Sequence, residues 1–100
     1  MSRRTISAKV HLIPTNEGGR SGPLMSGYRS LLRFEDSEVD FGFELELVPD
    51  SNVKGLAPGD TGNARLSFWA VEDLPILIAG MKFEMREGVR IVGYGEVLRL

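Results

Sequence analysis

The chain has 100 residues, 42% of them hydrophobic, and a formal net charge of −2. That length builds one core but not two, and the ordinary apolar content gives no reason to expect disorder. The lack of cysteine excludes a disulfide framework and a thiolate metal site, and the slight acidity excludes the broad basic field by which stand-alone nucleic-acid binders neutralise phosphate. With neither a signal peptide nor a run of about 18 apolar residues, a cytoplasmic protein without membrane contact is expected.

The basic start Met1-Ser2-Arg3-Arg4 reads as part of a frayed terminus over residues 1–6, and residues 7–100 as one folded domain. From Ser7 to Ile13, Ala8, Val10 and Leu12 share one parity, while Lys9, His11 and Ile13 share the other. This is the two-residue period of a strand, closed by Pro14. His11 is the only histidine. It has no cysteine or second histidine to work with, so it is assigned no chemistry.

Residues 15–27 hold four glycines and a proline, the composition of a long shaped loop. Gly18-Gly19 could let backbone N–H groups converge on an anion, but no Walker lysine follows. The simpler reading is a loop that needs positive φ.

Tyr28 to Glu35 forms a second strand, offering the core either Leu32 and Phe34 or Tyr28 and Leu31, and the acidic stretch Glu35 to Asp40 turns the chain. Phe41, Phe43, Leu45 and Leu47 then alternate with Gly42, Glu44 and Glu46. The i, i+2 spacing puts Glu44 and Glu46 on the solvent face, without the third oxygen ligand a cation would require. Pro49 to Gly62 is a turn-rich connection, in which Pro58-Gly59-Asp60 places proline at the second position of a turn and glycine at the third. Asn63 to Glu72 reads as a long strand with Ala64, Leu66, Phe68 and Ala70 on its apolar parity. Trp69 falls on the more polar parity, either as a rim residue against a loop or as part of an apolar patch for a partner.

The last stretch is the organising one. Met81, Phe83 and Met85 alternate with Lys82, Glu84 and Arg86, Glu87-Gly88 reverses the chain, and Ile91, Val92, Tyr94, Val97 and Leu98 follow on both parities. The latter pattern predicts a strand covered on both sides, with Gly93 and Gly95 leaving room for another backbone. Six strands, turn signals every ten to fifteen residues and no sustained helical period give an all-β barrel or sandwich.

Several stretches together resemble the third, C-terminal β-barrel domain of bacterial translation elongation factor Tu. These are Glu17-Gly18-Gly19-Arg20 followed by Pro23, Gly27-Tyr28-Arg29 with Phe34 after it, Pro58-Gly59-Asp60, and Phe83 through Gly95. The resemblance runs from about residue 7 to the C-terminus and implies a six-stranded antiparallel β-barrel, here as a stand-alone domain. The chain contains no G-x-x-x-x-G-K-[ST] loop, so binding of GTP is not expected.

In that family the barrel helps grip the T-stem backbone of aminoacyl-tRNA through positions that match Arg20, Glu87 and Gly88. Arg29 belongs to the shared G-Y-R string, and Trp69 is the candidate apolar anchor, with Leu24 and Met25 as further candidates for an exposed apolar surface. This chain departs from the family at Ser21 and Leu31, where histidine and glutamine are usual, and in its acidic Asp36-Ser37-Glu38 turn. Lost polar contacts and added carboxylates weaken a hold on phosphate. The expected function is therefore a non-catalytic binding module with a docking or mimicry role linked to translation. A protein partner is favoured over tRNA, the candidate residues are Arg20, Arg29, Trp69, Glu87 and Gly88, and no cofactor or metal is expected.

Overall fold

A computed structural model describes residues 3–48 and 55–100. The alternating stretches become six strands: β1 (Arg4–Leu12), β2 (Tyr28–Phe34), β3 (Asp40–Val48), β4 (Thr61–Phe68), β5 (Lys82–Glu87) and β6 (Arg90–Arg99). They pair antiparallel in the order β1-β4-β3-β2-β5-β6, and β6 returns to β1, closing the barrel. Closure removes the sheet edges that would otherwise leave backbone N–H and C=O groups unpaired.

The period of two decides what faces inward. Ala8, Val10 and Leu12 of β1, all four apolar residues of the β3 alternation, and Ala64, Leu66 and Phe68 of β4 are buried. On β2 the pair that turns inward is Leu32 and Phe34, whereas Leu31 lies on the outside. Phe34 is the hub of the core: its ring centroid lies 6.0 Å from that of Phe41 and 6.1 Å from those of Phe68 and Phe83. These rings come from four different strands, so side chains of one barrel layer meet at the axis rather than along a strand.

The strand boundaries differ from the sequence pattern most at the start of β1 and the end of β4. β1 begins at Arg4, not Ser7, because Arg4, Thr5 and Ile6 pair with Phe68, Ser67 and Leu66, and Ile6 is buried. Residues 4–6 are thus barrel wall, not frayed terminus; Met1 and Ser2 lie outside the described residues. β4 stops at Phe68, and Val71–Asp73 forms a short 3₁₀ turn that leaves Ala70 exposed. Of the Pro49 to Gly62 connection, residues 49–54 lie outside the described residues. The turn at its end has the expected form, with the Asp60 N–H donating to the Ala57 carbonyl at 3.0 Å and Gly59 at φ 92°.

β6 differs in its coverage. Tyr94 is 50% exposed and Leu98 is also exposed, so the strand is buried on one side only. Register shifts at Met85/Arg86 and at Ser7/Ala8 each let an extra β6 residue into the ladder, and this puts apolar residues on both parities without a second core. Gly93 and Gly95 do leave room, mainly for side chains. A Cβ on Gly93 would lie 2.6 Å from Met85 Cε and 2.7 Å from the His11 carbonyl oxygen, and one on Gly95 would run into the Phe83 ring and the Lys9 carbonyl oxygen.

Candidate functional site

Pairing brings sequence-distant loops together at one barrel end. The Leu12 carbonyl accepts from Gly59 N–H at 2.9 Å and Ile13 N–H donates to the Val92 carbonyl at 3.0 Å, so the 13–27 loop, the Ala57–Asp60 turn and the β5–β6 hairpin share this end. The loop starts as a 3₁₀ turn over Thr15–Glu17, which Gly18 ends at φ 98°, the left-handed conformation expected of the Gly18-Gly19 pair. Gly19 is needed for a different reason: a Cβ there would strike the Ile13 backbone.

This loop delivers Arg20 to the hairpin. Arg20 Nε donates to Glu87 Oε2 at 3.0 Å, and its Nη1 donates to the carbonyls of Gly22 and Pro23 at 3.2 and 2.7 Å. Its guanidinium also lies over the Tyr28 ring, 5.1 Å from the centroid, and the Tyr28 hydroxyl donates to the same Glu87 Oε2 at 2.7 Å. Arg20, Tyr28 and Glu87 form a half-buried knot that ties the long loop to β2 and to the hairpin. Burial pushes the Tyr28 phenol up to about 12, and the hydrogen bond and negative charge of Glu87 act in the same direction. Gly88 takes φ 64° in the two-residue hairpin loop, the conformation for which glycine is selected there, and Val89 beside it is 94% exposed.

Arg29 and Trp69 do not join this knot. Arg29 points outward from β2, where its Nε and Nη2 reach Glu44 Oε1 at 3.2 and 3.1 Å. Trp69, just past β4, is half-buried beneath two guanidinium groups, Arg29 at 5.2 Å and Arg3 at 5.3 Å from the ring. Arg3 also approaches Glu44 Oε1, at 3.6 Å. Trp69 is thus a rim residue packed by arginines. Of the other apolar candidates, Met25 is exposed, but Leu24 is fully buried, held by paired backbone hydrogen bonds to Leu56 at 2.8 Å.

The five sequence candidates therefore fall into two clusters. Three further members escaped sequence reading: Tyr28, whose hydroxyl links Arg20 to Glu87; Arg3, assigned to a frayed end; and Glu44, assigned to open solvent. Only Tyr28 carried a signal, as the middle residue of the G-Y-R string.

A cavity of about 460 Å³ lies on the outer wall among Arg33, Glu35, Asp36, Lys82, Glu84 and Tyr94. Two of its charged groups are engaged with neighbours: Arg33 with Asp40 at 2.8 Å and Glu84 with Arg86 at 2.7 Å. Among the described residues there is no grouping of three or more His, Asp or Glu side chains that could hold a metal ion, and no helix is long and apolar enough to cross a membrane.

A closed antiparallel barrel of six strands, with the E-G-G-R loop locked against the R-E-G hairpin, agrees with the resemblance noted in the sequence. The family model of the elongation factor Tu C-terminal domain matches residues 1–100. The chain belongs to that family. Membership relates it to a translation-factor module, and three of the shared strings, E-G-G-R, P-G-D and R-E-G, are the loop, turn and hairpin that meet at one barrel end.

Proposed function

We propose that this elongation factor Tu C-terminal domain acts as a non-catalytic docking barrel that engages a protein partner in preference to an RNA helix. The observation that supports this reading most is the condition of Arg20. Its guanidinium already holds a carboxylate, two carbonyls and an aromatic ring, at 23% side-chain exposure. To reach a phosphate it would have to give up contacts that fasten its own loop. A hydrogen bond to a charged group contributes about 1.5–3 kcal/mol, so that exchange is unfavourable unless many phosphate contacts are gained together. With Ser21, Leu31 and an acidic Asp36-Ser37-Glu38 turn at positions where the family has other residues, few remain to supply them.

The test is capture from a bacterial extract with the purified chain, with and without ribonuclease, at low and high salt. A protein retained through ribonuclease treatment, and lost on Trp69→Ala but not on Arg20→Ala, is the expected result. Recovery of tRNA in place of a protein, falling steeply with salt and dependent on Arg20, would overturn the reading, because each phosphate contact releases counterions.

A further inference from the structure

We propose that the outer wall around Trp69 is the docking site itself and that its occupant is an extended, carboxylate-bearing segment of the partner protein. This rests on the docking role proposed above and gives it a location and a chemistry.

The wall is assembled in register across four strands. Thr5 pairs with Ser67, Ser67 with Glu44 and Glu44 with Arg29, and in the next outward row Ser7 pairs with Arg65 and Arg65 with Glu46. Between the rows lies a cavity of about 360 Å³ lined by Arg3, Thr5, Glu44, Glu46, Arg65 and Ser67. The Thr5 and Ser67 hydroxyls hydrogen-bond to each other at 3.1 Å across it.

Three arginines thus face two glutamates, a local excess of positive charge on a chain whose net charge is −2. The imbalance is sharpest at Trp69. Arg3 and Arg29 both converge on the single atom Glu44 Oε1, while Arg65 takes Glu46 Oε1 at 3.0 Å. A guanidinium has five N–H donors, so one carboxylate oxygen leaves most donors of this pair to solvent. Both side chains are open to it, at 50% and 69% exposure. The cation–π contacts with the indole, at 5.3 and 5.2 Å, hold both guanidinium groups beside one another and leave their remaining N–H donors to a second carboxylate.

The signs along the wall select the kind of occupant. A phosphodiester strand would present charge at every step and meet Glu44 and Glu46 as well as the arginines. A peptide strand carries side chains to a face at every second residue, so isolated carboxylates can meet Arg3, Arg29 and Arg65 while its neutral positions pass the glutamates and hydroxyls. Glu44 is then an internal competitor, holding the arginines in place until an incoming carboxylate shares them.

The experiment uses the full chain and a fluorescein-labelled hexaglutamate peptide, with hexalysine and a single-stranded oligouridylate as comparators. Anisotropy measures binding, and Trp69, the only tryptophan, reports occupancy through its own emission. Hexaglutamate should bind and alter that emission. Arg29→Ala should weaken it by about tenfold, the worth of one charge-assisted hydrogen bond. Glu44→Gln should tighten it several-fold, an effect that a structural ion pair would not produce, and Arg20→Ala should leave it unchanged. The proposal is overturned by no binding of hexaglutamate at low salt, by unaltered affinity in both the Arg29 and Glu44 variants, or by preference for the oligouridylate. If the extract still yields a ribonuclease-resistant partner after such a result, docking stands and only this wall is excluded; if it yields none, the docking role itself fails.

Discussion

Removing the Arg20–Glu87 contact should loosen one whole end of the barrel, and the size of the effect follows from its surroundings. The Glu87 carboxylate accepts at 3.0 Å from Arg20 and at 2.7 Å from Tyr28, with side-chain exposures of 23% for Arg20 and 30% for Glu87. Solvent-exposed ion pairs contribute about 0.2–1 kcal/mol, whereas hydrogen bonds to charged groups contribute about 1.5–3 kcal/mol. A contact screened on most sides falls between these limits, so the coupling energy should be about 1–2 kcal/mol. Arg20→Ala alone should cost more, about 2–3 kcal/mol, because the carbonyl bonds and the stack on Tyr28 go with it. For a domain of this size that is a fall in Tm of roughly 10–20 °C. A double-mutant cycle of Arg20→Ala and Glu87→Ala, followed by urea unfolding with Trp69 fluorescence and checked by circular dichroism, isolates the pair. A coupling below about 0.3 kcal/mol, within the error of additivity, would refute the knot as a structural device and return Arg20 to the pool of residues free to bind phosphate.

Other consequences are as direct. With the Tyr28 phenol raised to about 12, the folded chain holds a proton that the unfolded chain releases from about 10 upward. Stability should therefore be fully present below the ordinary tyrosine value and decline as pH rises through that window; Tyr28→Phe should remove this part of the alkaline decline, seen in pH-dependent urea midpoints. The Arg33 hydrogen bond holds the Asp40 carboxyl below its usual range, so the small contribution of this exposed pair should be present at neutral pH and vanish on acidification through the carboxylate range. Asp40→Asn should abolish that pH dependence. Gly95→Ala forces a methyl group against the Phe83 ring and the Lys9 carbonyl and should destabilise by about 1–3 kcal/mol, whereas Gly42→Ala, with open space at its Cβ, should change little. Ile6→Ala should cost about 2–5 kcal/mol by thermal unfolding; a neutral result would place the start of β1 after residue 6.

The sequence by itself determined the strands and their turns, while closure into a barrel rests on the pairing of β6 with β1. Alternation in β1, β3, β4 and the first hairpin strand is a local property, because successive side chains of an extended chain point to opposite faces whatever lies beyond them. Turn chemistry at Pro58-Gly59-Asp60 and Gly88 is local for the same reason: it depends on φ at one or two residues. The tertiary structure alone decided what depended on a partner strand. Ile6 is a core residue because β4 and β6 lie on either side of β1, and a basic N-terminal string gives no sign of them. Tyr94 and Leu98 are exposed because bulges in neighbouring pairings shift the parity of β6, and a bulge is a relation between two strands.

The candidate site divides along the same line. Arg20, Glu87 and Gly88 could be named from shared strings, but 67 residues separate Arg20 from Glu87, and their mutual engagement exists only once the barrel closes. Trp69 was legible as an anomaly, a large aromatic on a polar parity. That Arg3, Arg29 and Glu44 surround it follows from the register of four strands, where a shift by one residue would have turned each of them to the opposite face.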